Sequence, residues 1–242
     1  MGEGWGGGAS VTIDLNADLG EGMPWDAALL ARVSSASISC GFHAGDASSI
    51  LATLHEAKSR GVIIGAHPGF ADRENLGRKE QSLSGEQALR LVCDQVLSVK
   101  TLADEVGCEV RFIKPHGALY NQAQRDRQIA RGVVAAAGFL QLPILGLPGG
   151  FVDSWADLCR VRFIAEGFAD RRYTSDGRLV PRTEPNAILE DESEIAEQVL
   201  RLVERKIDTI CLHGDNPHSV ALSDLVLSTL QKAGIAVRSF LS

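Results

Sequence analysis

The stretch "ISCGFHAGD" (residues 38–46) changes character halfway. Ile38 to Cys40 reads as the end of a buried strand. Gly41, Ala44 and Gly45 then surround His43 and Asp46. Small residues at such a point let the backbone turn tightly and let a ligand approach. Alone, a histidine there is ordinary, because polar residues commonly end strands. The pattern recurs, however, in "IGAHPGF" (64–70), "FIKPHGALYN" (112–121) and "TICLHGDNP" (209–217). His43, His67, His116 and His213 each stand where an apolar run ends beside glycine or proline. The other two histidines read differently. His55 lies inside the helical pattern "ILATLHEAKSRG" (50–61) as a surface or packing residue, and His218 is a loop residue near a helix start.

Outward from these points, short apolar runs alternate with helical patterns. Strands are expected at 11–16, 36–40, 62–66, 110–114, 143–147, 162–166, 209–213 and 236–240. Between them, helices are expected at about 49–60, 126–137, 193–206 and 219–233. A longer one starts at Ser84, where "SGEQ" reads as a capping box ahead of apolar positions from Ala88 to Val106. Short apolar strands separated by helices imply βαβ units and a parallel sheet covered on both faces. Polar ends on nearly every strand favour a closed barrel over an open doubly wound sheet. A barrel rim collects functional groups from all around, whereas an open sheet gathers them at one switch point. The expected fold is therefore α/β, one irregular (β/α) barrel over residues 11–242, with the four histidines facing one pocket. Residues 1–10, "MGEGWGGGAS", match G-x-G-x-x-G in spelling only, with no strand before and no helix after, and read as a flexible tail.

Composition narrows the function classes. The chain has 242 residues, 45% of them hydrophobic, and a formal net charge of −7. It shows no basic stripe with interleaved aromatics, so nucleic acid and anionic membrane are not expected partners. The most apolar stretch, 133–151, is broken by Gln141, Pro143, Pro148 and several glycines and does not read as a membrane span. Five cysteines form no C-x-x-C pair, and no secretory signal is read at the N-terminus. A reduced cytoplasmic setting follows as an expectation. Cys40 and Cys211 lie within strands, away from helix starts, and read as inert buried thiols. No Walker A loop, G-x-S-x-G elbow or H-E-x-x-H occurs.

Carboxylates and a lysine join the histidines. In "TIDLNADLGEG" (12–22), Asp14, Asn16 and Asp18 are spaced by two, so an extended strand points them to one side. The D-x-N-x-D spelling is not a calcium loop, because Leu19 replaces the required glycine and Trp25 the bidentate glutamate. Lys114 and His116 share a side in the same way. A lysine following Phe112 and Ile113 is costly to bury unless paired or used. Lys114→Met is expected to lower turnover about 10²-fold with the fold intact. Glu166 ends the apolar run of "RFIAEGFADRRY" (162–173), with Asp170 and Arg171 close behind.

In order, "DLNADLGEG" (14–22), "CGFHAGD" (40–46), "GAHPGF" (65–70), "KPHGALYN" (114–121), "EGFADRRY" (166–173) and "HGDNP" (213–217) resemble the LamB/YcsF family. The resemblance covers about residues 11–240 and implies an irregular seven-stranded β/α barrel akin to polysaccharide deacetylases. It also implies ATP-dependent opening of 5-oxo-L-proline to L-glutamate as one component of a 5-oxoprolinase, with partner subunits B and C. ATP is the co-substrate, expected to bind mainly on the partners. Carried over by position, the expected catalytic residues are Asp14, Asp18, His43, Asp46, Lys114, His116, Glu166, His213 and Asp215. The expected substrate-binding residues are Asn16, His67, Arg78, Asn121, Asp170 and Arg171. His43, His67 and His116 are candidates for a divalent metal. The chain departs from the family pattern after "GEG", at "NLGRKE" (75–80), where Lys79 is a substitution, and at "RLVPRTEPNAIL" (178–189).

Two other functions fit the same residues. A metal-dependent hydrolase of the deacetylase kind would use histidines and aspartates at strand ends as ligands. A regulatory protein would use the pocket to bind a small acid without turning it over.

Overall fold

Residues 11–214 and 218–241 are described in the computed structural model, so the expected tail and Asp215 lie outside the described residues. The strands are β1 (Thr12–Leu19), β2 (Ser35–Ser39), β3 (Ile63–His67), β4 (Val110–Ile113), β5 (Ile144–Gly146), β6 (Phe163–Phe168), β7 (Thr209–Leu212) and β8 (Ala236–Val237). All pair in parallel, and β1 lies between β7 and β2, which closes β1 to β7 into a seven-stranded barrel. Asn16 makes the closure visible, standing in register with Ser35 on one side and Cys211 on the other. The eighth strand stays out of the ring. Ala236 and Arg238 donate their amides to the carbonyls of Val11 and Ile13, along the edge where the Leu15 carbonyl accepts from Ser34.

Among the described residues, eight helices surround the barrel: α1 (Asp26–Leu30), α2 (Ala47–Arg60), α3 (Gly85–Val106), α4 (Gly117–Ala123), α5 (Arg127–Leu140), α6 (Phe151–Cys159), α7 (Glu192–Glu204) and α8 (Ser219–Lys232). Four of those expected from sequence begin with a side-chain cap, at Asp46, Ser84, Asp126 and Asp191. Each cap satisfies amides that the first helical turn leaves without partners. The helices α1, α4 and α6 were not expected. They follow Trp25, His116 and Gly150, none of which makes a side-chain cap, so their starts carry no capping signal.

Each strand divides its residues by the pleat. Ile13, Leu15, Ala17 and Leu19 of β1 join the main apolar core. Asp14, Asn16 and Asp18 take the opposite face. That face is the barrel interior, because Lys114, just past β4, contacts Asp18 of β1 and Cys211 of β7, strands that β4 does not neighbour. In β2, Ala36 and Ile38 join the core while Ser35, Ser37 and Ser39 alternate with them, all five buried. Part of the interior is apolar: Phe112, Leu145 and Ile164 cluster with Phe240. Gly65 makes room for the Phe112 ring, since a Cβ there would come within 2.3 Å of it. Among the described residues, no helix is long and apolar enough to cross a membrane.

Candidate active site

The C-terminal ends of the strands open on a cavity of about 430 Å³. At its floor, Lys114 Nζ lies 2.8 Å from Asp18 Oδ1 and 2.7 Å from Glu166 Oε1, with Asn16 Oδ1 at 3.1 Å and Cys211 Sγ at 3.0 Å. Burial works against the ammonium charge, but Asp18, Cys211 and Glu166 outweigh it and hold Lys114 well above the usual lysine value. Burial also works against the Asp18 charge, yet His67, Lys114 and His213 pull this carboxyl far below its usual value. Asp18 is therefore an ionised carboxylate that reaches the cavity. Asn16 ties the group together, donating its amide to Glu166 at 3.1 Å and to Thr209 at 2.8 Å.

Beside the lysine stand three histidines from three strand ends. The rings of His43 and His116 stack in parallel with centroids 3.9 Å apart, and His67 meets His116 edge-on at 4.8 Å. His67 Nδ1 donates to the Lys114 carbonyl at 2.7 Å, and His116 Nε2 donates to the Leu76 carbonyl at 2.8 Å. Burial pushes His67 down to about 4 and takes His116 well below the ordinary histidine value. Glu21, in the turn after β1, faces them at 3.2 Å from His43 Nε2 and 3.6 Å from His116 Nδ1. Glu21, His43, His67 and His116 each offer a donor atom within 4.8 Å of the others, a grouping able to hold a metal ion. Close to Asp18 and Cys211, His213 has its Nδ1 3.0 and 3.1 Å from the two Asp170 oxygens. Although burial opposes it, this pairing keeps the Asp170 carboxyl below its usual value.

The structure thus gathers Asn16, Asp18, His43, His67, Lys114, His116, Glu166, Asp170, Arg171 and His213 at one end of the barrel. His43 sits behind His116 rather than on the cavity wall, and Arg78 and Asn121 stand at the exposed rim. Two expected members are elsewhere. Asp46 is exposed at the start of α2, where its carboxylate accepts from the Ser49 amide at 2.9 Å and the Ser48 hydroxyl at 2.7 Å. Asp14 lies lower in the barrel, accepting from Ser34 at 2.7 Å, Ser35 at 2.8 Å and Thr209. Burial raises it to about 6. Cys40 and Cys211 are buried, and burial pushes both thiols up, which leaves them poor nucleophiles.

Sequence reasoning missed Glu21 as a member of the site, although it stands in the quoted "DLGEG". A single glutamate between glycines has no periodicity to mark it. It also missed Arg125, Arg178 and Arg182, which line the cavity together with Arg78 and Arg171. Arg78, Arg125 and Arg171 come from separate segments, and Arg178 and Arg182, although four apart in one stretch, lie where no strand or helix pattern marks them.

Known proteins resemble this chain over nearly its full length. The A subunit of 5-oxoprolinase from Paracidovorax citrulli (strain AAC00-1) is 42% identical over 248 residues, covering 94% of this chain and 99% of that protein. The crystal structure of a lactam utilization protein from Thermus thermophilus superposes with a TM-score of 0.87 at 35% identity, covering 95% of this chain and all of that one. A family 4 carbohydrate esterase from Streptomyces lividans shares the fold alone, with a TM-score of 0.51 at 9% identity over 95% of this chain and 93% of the esterase. The sequence matches the LamB/YcsF family, as its motifs anticipated, over residues 13–242. This chain belongs to the LamB/YcsF family.

Proposed function

We propose that this chain is the lactam-acting component of an ATP-dependent 5-oxoprolinase, opening 5-oxo-L-proline to L-glutamate together with partner subunits B and C. The observation that carries the reading is the ionised Asp18, held by buried Lys114 in a cavity whose lining includes five arginines. The naming of similar proteins as the A subunit of 5-oxoprolinase and as a lactam utilization protein supports the substrate class.

A five-membered lactam is a poor electrophile. Transfer of a phosphoryl group from ATP to its carbonyl oxygen releases ADP and leaves an activated imidate carbon. Water then adds to that carbon, the C–N bond breaks, and the nitrogen takes a proton, leaving an acyl phosphate. A second water hydrolyses this to glutamate and phosphate. For these steps the Asp18 carboxylate is placed to hold the attacking water by accepting its hydrogen bond, and His213, oriented by Asp170, to take a proton from that water and pass one to the ring nitrogen. The arginines of the lining suit the substrate carboxylate and the phosphate. Lys114 is committed to Asp18 and Glu166, so its part is to keep Asp18 charged.

The sequence spells no phosphate-binding loop after any strand, and nucleotide chemistry is assigned mainly to the partners. The test measures glutamate from 5-oxoproline and ATP, with and without purified subunits B and C. Glutamate is expected only from the assembled complex. Robust ATP-dependent formation by the single chain would overturn the division of labour. Saturable 5-oxoproline binding without turnover in the full assembly would replace the enzymatic reading with a regulatory one.

A further inference from the structure

The tautomers of His67 and His116 are set by backbone. His67 Nδ1 faces the Lys114 carbonyl at 2.7 Å, and His116 Nε2 faces the Leu76 carbonyl at 2.8 Å. A carbonyl oxygen only accepts, so both of these nitrogens carry hydrogen. The nitrogens left over, His67 Nε2 and His116 Nδ1, then present bare lone pairs to each other at 2.9 Å. Two acceptors at that distance repel unless a cation answers both. The Glu21 carboxylate stands 3.6 Å from the second of them, and all three residues line the cavity.

We propose that Glu21, His67 and His116 form a binding site for one divalent transition-metal ion of the zinc class. Zinc–ligand bonds of about 2.0–2.1 Å in a tetrahedron place ligand atoms roughly 3.3 Å apart, and the observed 2.9 and 3.6 Å bracket that spacing. Two imidazoles and one carboxylate suit zinc, cobalt or manganese rather than magnesium or calcium, which favour all-oxygen shells. The open position of such a three-residue site faces the cavity, as in catalytic rather than structural zinc sites.

His43 is a positioning residue. Its Nδ1 is buried without a partner, and a buried N–H left unbonded costs more than a bare lone pair. The hydrogen therefore belongs on Nε2, which donates to Glu21 at 3.2 Å and aims the carboxylate. The site rests on side-chain geometry, and its test uses no lactam, nucleotide or partner. Failure of the 5-oxoprolinase reading would leave it standing, and the reverse also holds.

The experiment is a titration of the chelator-treated full chain with Co²⁺, followed by visible d–d absorption, alongside elemental analysis of protein purified without added metal. One ion per chain is expected, with absorption of the intensity that tetrahedral cobalt gives. Glu21→Gln and His116→Gln should each weaken binding by about 100-fold or more, and His43→Asn by about tenfold. Circular dichroism melts check that the variants fold, and Glu21→Gln alone decides if His116→Gln does not. A folded wild type that takes up no Co²⁺ at millimolar concentration would assign the facing nitrogens a shared proton instead. Undiminished binding in folded Glu21→Gln would equally overturn the site.

Discussion

Lys114 and Glu166 meet at 2.7 Å inside the barrel, with neither side chain more than 2% exposed. The second carboxylate, Asp18, lies 2.8 Å from the same ammonium. Removing the lysine strands two buried negative charges, and breaking a buried pair in this way costs about 3–5 kcal/mol. Lys114→Met is therefore expected to destabilise the fold as well as slow the reaction, which corrects the expectation of an intact fold. Lys114→Met with Glu166→Gln should recover part of the loss. Urea unfolding of both variants measures this; a Lys114→Met protein as stable as wild type would contradict the pairing.

Asp14 gives a stability that falls as pH rises. Burial lifts its folded-state value from 3.8 to about 6, against the pull of the Thr209, Ser34 and Ser35 hydroxyls. Between those values the folded chain keeps a proton that the unfolded chain has released. Its favourable contribution is thus full below about pH 4 and is lost through about pH 6, on the order of 2–3 kcal/mol. Asp14→Asn removes the titration. The stability of wild type relative to Asp14→Asn should decline across that window and then level off. A difference independent of pH would reject this account of Asp14.

Gly45 adopts φ +70°, and a Cβ there would lie 2.1 Å from the Gly20 carbonyl oxygen. This contact joins the turn after β2 to the turn that carries Glu21. Gly61 has a similar φ of +68° but open space around it. Gly61→Ala should cost only the left-handed strain of about 1–2 kcal/mol, and Gly45→Ala distinctly more. Thermal melts of the two variants separate strain from collision, and equal losses would show that the contact relaxes.

Asp170 accepts from His213 Nδ1 and leaves Nε2 for the cavity. Asp170→Asn keeps the shape but not the charge that fixes this tautomer. Glutamate formation by the assembled complex is expected to fall about 10²-fold, mainly in kcat. A kcat unchanged in Asp170→Asn would remove His213 from the proton transfers.

Local pattern carried much of the fold. All eight strand positions were legible as short apolar runs, and the long helices were legible from their apolar periodicity, with Ser84 alone read as a cap and Asp46 read as catalytic rather than as the cap it is. The uncapped α4 and α6 were not, since their backbone satisfaction comes from neighbours. The four histidines were legible for a topological reason: parallel strands deliver all their C-terminal ends to one rim. Spacing by two also put Asp14, Asn16 and Asp18 on one face.

Depth was a matter for the closed barrel alone. Strands rise about 3.3 Å per residue, so Asp14 lies roughly 13 Å along β1 from Asp18, outside the cavity and among hydroxyls. Asp46 lies beyond the strand end and faces solvent as a helix cap. Glu21 joins the histidines only because β1 to β4 curve until their ends converge. A sequence records which side of a strand a residue occupies. Which residues meet across the interior depends on closure and register, and these bring together groups as far apart in the chain as Asp18 and Lys114.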